Sequence, residues 1–140
     1  ICSAISGVKT SKNLFFDNEF SSLNTINKNH TIFLNKAFGK KNLKKIKIKT
    51  ETLNNILIRN KIQNVDFMNI DIEGSELEVL KTLNFKKFNI KVICIEIINY
   101  DYYSKNITIN KKKIFSILRK NNYNLIFKTF VNYVFVKNEN

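Results

Sequence analysis

Residues 65–98 constrain this chain more than any other stretch. "VDFMNIDI" (65–72) and "VICIEII" (92–98) are nearly continuous apolar runs rich in β-branched residues. That pattern is expected of strands buried on both faces of a parallel sheet. Between them, "SELEVLKTL" repeats Leu77, Leu80 and Leu83 every three residues, with Val79 and Leu83 four apart. This is helical spacing. Ser75 stands where a helix cap belongs, and Glu76 and Glu78 fall in the positive first turn. Strand, helix and strand at this spacing make a βαβ unit, so the chain is of the α/β class.

The flanks extend that frame. Ile1–Ile5 reads as the end of a strand, closed by Ser6–Gly7, and Leu14–Asp17 as a short apolar piece. Residues 18–30 are polar and turn-like, which puts the lone histidine, His30, on the surface; residues 31–45 carry no decisive pattern. Ile46, Ile48 and Thr50 alternate with Lys47 and Lys49, a half-exposed strand. Thr50 or Thr52 then caps a short helix presenting Leu53, Ile56 and Leu57. A second helix spans Asn110–Lys120 with Ile114, Phe115, Ile117 and Leu118 as its stripe. "YNLIFKTFVNYVFVKN" (123–138) places two apolar runs around Lys128–Asn132, an antiparallel hairpin. The expected architecture is a mostly parallel sheet closed by an antiparallel strand, without repeats or a second domain.

At 140 residues and 44% hydrophobic, with twelve phenylalanines, the chain can bury a core and is not a disordered polymer. No apolar run approaches the ~20 residues that span a bilayer. Cys2 and Cys94 lack metal or disulfide spacing and read as buried thiols. The net charge of +13 invites a nucleic-acid reading, but among 24 basic residues only Arg59 and Arg119 are arginines. Base-edge readout favours arginine. The lysines, including 111–113, read as a solvated surface, with no specific nucleic-acid partner expected. Position 1 is isoleucine and the single methionine is Met68, so the natural start is expected upstream; a cytoplasmic location is the expectation for the chain in hand.

The acids are distributed unlike the bases. Seven of eleven (Asp66, Asp71, Glu73, Glu76, Glu78, Glu96 and Asp101) lie between positions 66 and 101. Asp71 and Glu73 stand two apart at the carboxyl end of a buried strand, where open α/β sheets bind ligands. Gly74 follows and permits a sharp turn. Glu96 reaches the same rim one βαβ unit later. Burying an unpaired carboxylate is costly, so a site explains their concentration better than chance. Helix capping by Asp71 and a lysine partner for Glu96 are the plainer readings. General-base work and oxygen ligation of a divalent cation are the chemical ones. Spacing alone leaves these open. Tyr100, Tyr102 and Tyr103, just after Glu96, read equally as a stacking wall or as packing.

"TETLNNIL", "VDFMNIDIEGSELEVLKTL" and "VICIEI" together resemble the FkbM family of S-adenosylmethionine-dependent methyltransferases, and "CSAISG" is similar to the family's strand and turn before its variable hairpin. The resemblance covers nearly the whole chain. It implies a Rossmann-like methyltransferase sheet with a closing antiparallel hairpin, and an O-methyltransferase acting on a hydroxyl of a glycan or secondary metabolite. S-adenosylmethionine is the implied cofactor, and a small-molecule or glycan acceptor the implied partner. By the same resemblance Asp71, Glu73 and Glu96 are the catalytic candidates, and Ser3, Ala4, Ile5 and Asp71 the cofactor-binding ones, with no metal required. The family's glycine-rich cofactor loop and ribose-holding acid are absent, since Gly7, Gly39 and Gly74 form no GxG. Residues 1–140 are therefore expected to be the carboxyl-terminal two thirds of the domain, its N-terminal strands missing, inactive alone and weak in cofactor binding. The rival readings are a Mg²⁺-dependent phosphoryl-transfer or hydrolytic enzyme, and a non-catalytic basic binding domain.

Overall fold

The computed structural model describes residues 3–18, 21–40, 43–97 and 106–138. In chain order they form β1 (Ala4–Ile5), β2 (Thr10–Phe16), α1 (Lys28–Phe38), β3 (Lys44–Glu51), α2 (Leu53–Arg59), β4 (Asn64–Ile70), α3 (Glu76–Thr82), β5 (Asn89–Glu96), α4 (Asn106–Lys120), β6 (Tyr123–Lys128) and β7 (Asn132–Lys137). The βαβ unit forms as its periodicity requires, with β4 and β5 parallel from Asn64↔Asn89 to Ile70↔Ile95. The closing hairpin forms too, and β7, not β6, inserts beside β5.

The sheet differs from expectation. The strands make two sheets, ordered β1-β3-β2 and β4-β5-β7-β6. Only β1/β3 and β4/β5 are parallel; β2/β3, β5/β7 and β6/β7 are antiparallel. The fold is therefore a mixed α/β arrangement and not one mostly parallel sheet. Only β6 and β7 owe their antiparallel pairing to a short connection; β2 reaches β3 through α1, and β7 reaches β5 only after α4 and β6, while each parallel pair needs a crossover.

One face of the second sheet carries the core. Ile70, Ile93, Ile95, Tyr133 and Phe135 pack against Leu57 of α2, Leu80 of α3, and Ile114 and Leu118 of α4. The Tyr123 hydroxyl donates to the Ile90 carbonyl at 2.6 Å and so enters the core with its polar tip satisfied. Among the described residues the opposite face is less covered, with Val92, Cys94, Val134 and Val136 half-buried and Phe67 exposed. Strand alternation and register put Phe67, Val92 and Val136 in one row across it, and Cys94 and Val134 in the next. Phe67 is 59% exposed. Thus β4, expected to be buried on both faces, is an edge strand buried on one.

In the first sheet β1 covers only Thr50 and Glu51 of β3. Among the described residues, Lys44–Lys49 is therefore an open edge. Lys44, Lys45, Lys47 and Lys49 are all exposed there, and charge on an edge opposes strand-to-strand aggregation. Thr52 caps α2, its side chain accepting from the Asn55 backbone N–H at 3.2 Å.

Residues 28–38 are helical, so the turn expected through residue 30 gives way to a helix from Lys28, and residues 31–38, which showed no decisive pattern, continue it. Asn27 caps α1 by accepting from the Asn29 backbone N–H, and Gly39 closes it in the left-handed conformation at φ 67°. His30 and Leu34, one turn apart, form its buried face. The surface expectation for His30 is overturned: it is 4% exposed. Among the described residues, no helix is long and apolar enough to cross a membrane.

Candidate functional site

Two strand ends and one tight loop build the site. β4 stops at Ile70, and the chain turns through Asp71–Ser75 into α3. Glu73 and Gly74 both take positive φ, 51° and 91°. A non-glycine residue held there stores about 1–3 kcal/mol of strain, so surrounding contacts must hold it. They come from two directions.

From α3, Glu76 reaches back. Its Oε1 accepts from the backbone N–H of Ile72 at 3.1 Å and of Gly74 at 3.0 Å. Ser75 occupies the cap position but its side chain makes no capping bond; the buried Glu76 carboxylate holds the loop instead. Burial pushes the Glu76 pKa up, opposed by backbone N–H donors including those of Gly74 and Ile72. Glu76 is thus more than a dipole-complementing residue. Glu78 is half exposed and pairs with Lys12 of β2 at 2.9 Å. Gly7 packs so closely on this turn that a Cβ would lie 2.9 Å from the Glu78 carbonyl oxygen. These contacts dock the first sheet onto α3.

From the β2–α1 segment come Thr25, Asn27 and His30. The Thr25 hydroxyl donates to the Glu73 carbonyl at 2.7 Å, and the Asn27 side-chain amide donates to the Gly74 carbonyl. His30 Nε2 lies 3.1 Å from Glu73 Oε2, with the His30 side chain 1% exposed. None of the three was identified from sequence. The available signal was the Asn27 cap with the Gly39 stop, which together define α1 and set His30 one turn before Leu34.

Asp71, Glu73 and Glu96 come together. One carboxylate oxygen from each lies within 4.8 Å of the others, Asp71 exposed and the other two half-buried. Among the described residues no lysine or arginine forms an ion pair with any of them. Desolvation first, then the charges of Asp71, Glu73 and Glu76, raise the Glu96 pKa from 4.5 to about 7, helped by a hydrogen bond shared with Asp71. Glu96 is thus poised to hold or release a proton near neutrality. The oxygen spacing is also one that a divalent cation could bridge, although the sequence reading required no metal. Cys94, two strand positions before Glu96, is a half-buried free thiol. Burial and the Asp71 charge push its pKa up, which disfavours a reactive thiolate.

The cofactor candidates divide. Asp71 is in the cluster, whereas Ala4 and Ile5 are half-buried in β1 of the first sheet and Ser3 is exposed before it. Their link to the site runs through Ser6 and Gly7 to α3. Tyr100, Tyr102, Tyr103 and Cys2 lie outside the described residues. A hollow of about 560 Å³ opens at the carboxyl end of α3, lined by residues including Asn54, Lys81 and Lys120, and holds no acid; the acids lie before that helix's other end.

Residues 4–125 match a family model described as "Methyltransferase FkbM domain". No curated protein and no solved structure gives a match.

Proposed function

The chain belongs to the methyltransferase FkbM domain family, and on that premise we propose that it transfers a methyl group from S-adenosylmethionine to a hydroxyl of a glycan or secondary metabolite. The observation that carries the reading is the convergence of Asp71, Glu73 and Glu96 within 4.8 Å at the carboxyl ends of two adjacent parallel strands. The donor set fits the cofactor's chemistry: a cationic ammonium and sulfonium suit carboxylates and would be repelled by lysines. Asp71, the exposed member, would hold the methionine end, and Ser3, Ala4 and Ile5 would pack near the adenine.

When bound, the donor supplies an electrophilic methyl group and leaves as a neutral thioether. The chain's residues do the rest. Glu96, half-charged near pH 7, accepts the hydroxyl proton as the new C–O bond forms. Glu73 has one oxygen occupied by His30 and turns the other to a neighbouring acceptor hydroxyl. Fixing the acceptor oxygen in line with the methyl group is the main catalytic demand.

The domain is completed, on this reading, by chain preceding residue 1, which carries the glycine-rich cofactor loop. The edge position of β4 among the described residues and the exposure of Phe67 on it support this, because a parallel pair is ordinarily covered on both faces. The test is incubation of the upstream-extended chain with tritium-labelled S-adenosylmethionine and an extract of the producing cells. Label in an alkali-stable ether supports O-methylation. Turnover that needs Mg²⁺ but no methyl donor would point instead to the phosphoryl-transfer or hydrolytic reading.

A further inference from the structure

We infer that His30 is a positioning residue for Glu73, and that Thr25, Asn27 and His30 make the β2–α1 segment a clamp on the site's loop. Three separate contacts carry this. Thr25 satisfies the Glu73 carbonyl and Asn27 the Gly74 carbonyl. These are the two residues with left-handed backbone in the loop. His30 then takes the Glu73 carboxylate itself, Nε2 to Oε2 at 3.1 Å.

The packing shows that the fit is mutual. A Cβ on Gly74 would sit 2.9 Å from His30 Nδ1 and 3.2 Å from the Asn27 amide nitrogen. Glycine is therefore what admits the imidazole so close to the loop. Thr25 is 2% exposed, and its hydroxyl also accepts from the Asn27 backbone N–H at 3.0 Å. The clamp is internally braced.

The consequence is specific. A glutamate side chain with free rotamers would spend little time in any one geometry, and a carboxylate between two others is repelled by both. A ring donor on Oε2 holds the group against that repulsion. The use of Glu73 by an acceptor rests on the methyl-transfer reading above; the clamp does not.

The experiment is carboxyl NMR on the full chain labelled at glutamate side chains, comparing wild type with His30→Ala and His30→Gln. The readouts are the Glu73 carboxyl resonance and the Glu96 titration midpoint. The groups facing Glu96 are Asp71, Glu73 and Glu76, with His30 behind Glu73 from α1. If His30 holds Glu73 in place, His30→Ala lets it swing out and the Glu96 midpoint falls by about half a pH unit or more. His30→Gln, which keeps a donor, restores most of the fall, and His30→Ala adds nothing in a Glu73→Gln background. An unmoved midpoint with a lowered melting temperature would overturn the inference, leaving His30 as packing alone. A rise would overturn it as well, since loss of an imidazolium charge acts in that direction. If His30→Ala fails to fold, Thr25→Val carries the same expectation with a smaller fall, and no fall overturns it. No donor or acceptor enters the readout, so loss of the clamp and failure of methyl transfer are separate results.

Discussion

Replacing Gly74 by alanine should cost far more than a missing hydrogen suggests. At φ 91° an L-residue is strained, worth about 1–2 kcal/mol. The new Cβ would also meet His30 Nδ1 at 2.9 Å and His30 Cβ at 3.3 Å. That ring cannot retreat, because it is buried and bonded to Glu73; overpacking of this kind costs about 1–3 kcal/mol. The two effects together give about 2–5 kcal/mol, or roughly 6–15 °C in Tm for a domain of this size. Gly39→Ala is the internal control. Its φ is 67° but nothing lies within 4 Å of the added carbon, so only the strain remains, about 1–2 kcal/mol. Urea unfolding followed by circular dichroism, with slopes compared to check two-state behaviour, measures both. His30→Ala should partly rescue Gly74→Ala by opening the space. If both glycine variants lose the same stability within about 0.5 kcal/mol, and no rescue is seen, the close packing of α1 on the site's loop is refuted.

Glu96 and Glu76 make stability pH-dependent in an unusual direction. Both carboxyls are raised by burial, Glu96 to about 7. The folded state therefore binds more protons than the unfolded chain between about pH 4.5 and 7, and stability falls as pH rises through that window; Glu96→Gln should flatten the decline, whereas a rise in urea midpoint from pH 5 to 7 would contradict it. Asp17, Glu51 and Asp66 are shifted down by their partners, Lys40, Asn55 and Lys91 in turn, so their contribution is lost only at more acid pH. In the core, Phe88 is 1% exposed, and Phe88→Ala should cost about 3–5 kcal/mol by chemical denaturation; a loss below about 1 kcal/mol would mean that the site collapses freely. Isothermal calorimetry of residues 1–140 with S-adenosylmethionine should show little or no binding. Micromolar affinity would mean that the cofactor site is complete without a glycine-rich loop.

The sequence was most legible where a periodic pattern met a local element. Leu77, Leu80 and Leu83 between two β-branched runs could form only a helix between strands, and the pairing of β4 with β5 brings Asp71 and Glu96 to one rim. The hairpin at 123–137 was equally local. Partner choice was not legible, because pairing is decided between segments distant in the chain. Nothing in Val65–Ile70 reveals that β4 ends a sheet, since a strand's own residues do not say what lies beside it. His30 was missed for the same reason. Its helix has a weak apolar stripe, and what makes it functional is a loop far along the chain; the companion contact, Thr25 to Glu73, spans 48 positions. Glu76 sat in a first turn, where a dipole argument was sufficient and therefore misleading; only its burial and its two backbone donors show its use.

The central claim is that three acids at one sheet edge serve methyl transfer. The most direct measurement is single-turnover methyl transfer by the upstream-extended chain, wild type against Glu73→Gln and Glu96→Gln, with donor affinity measured in parallel. Loss of a general base lowers turnover by about 10²–10⁴-fold. The expected result is a drop of that order for Glu96→Gln and a clear drop for Glu73→Gln, with donor affinity little changed. Full turnover in both variants would contradict the account.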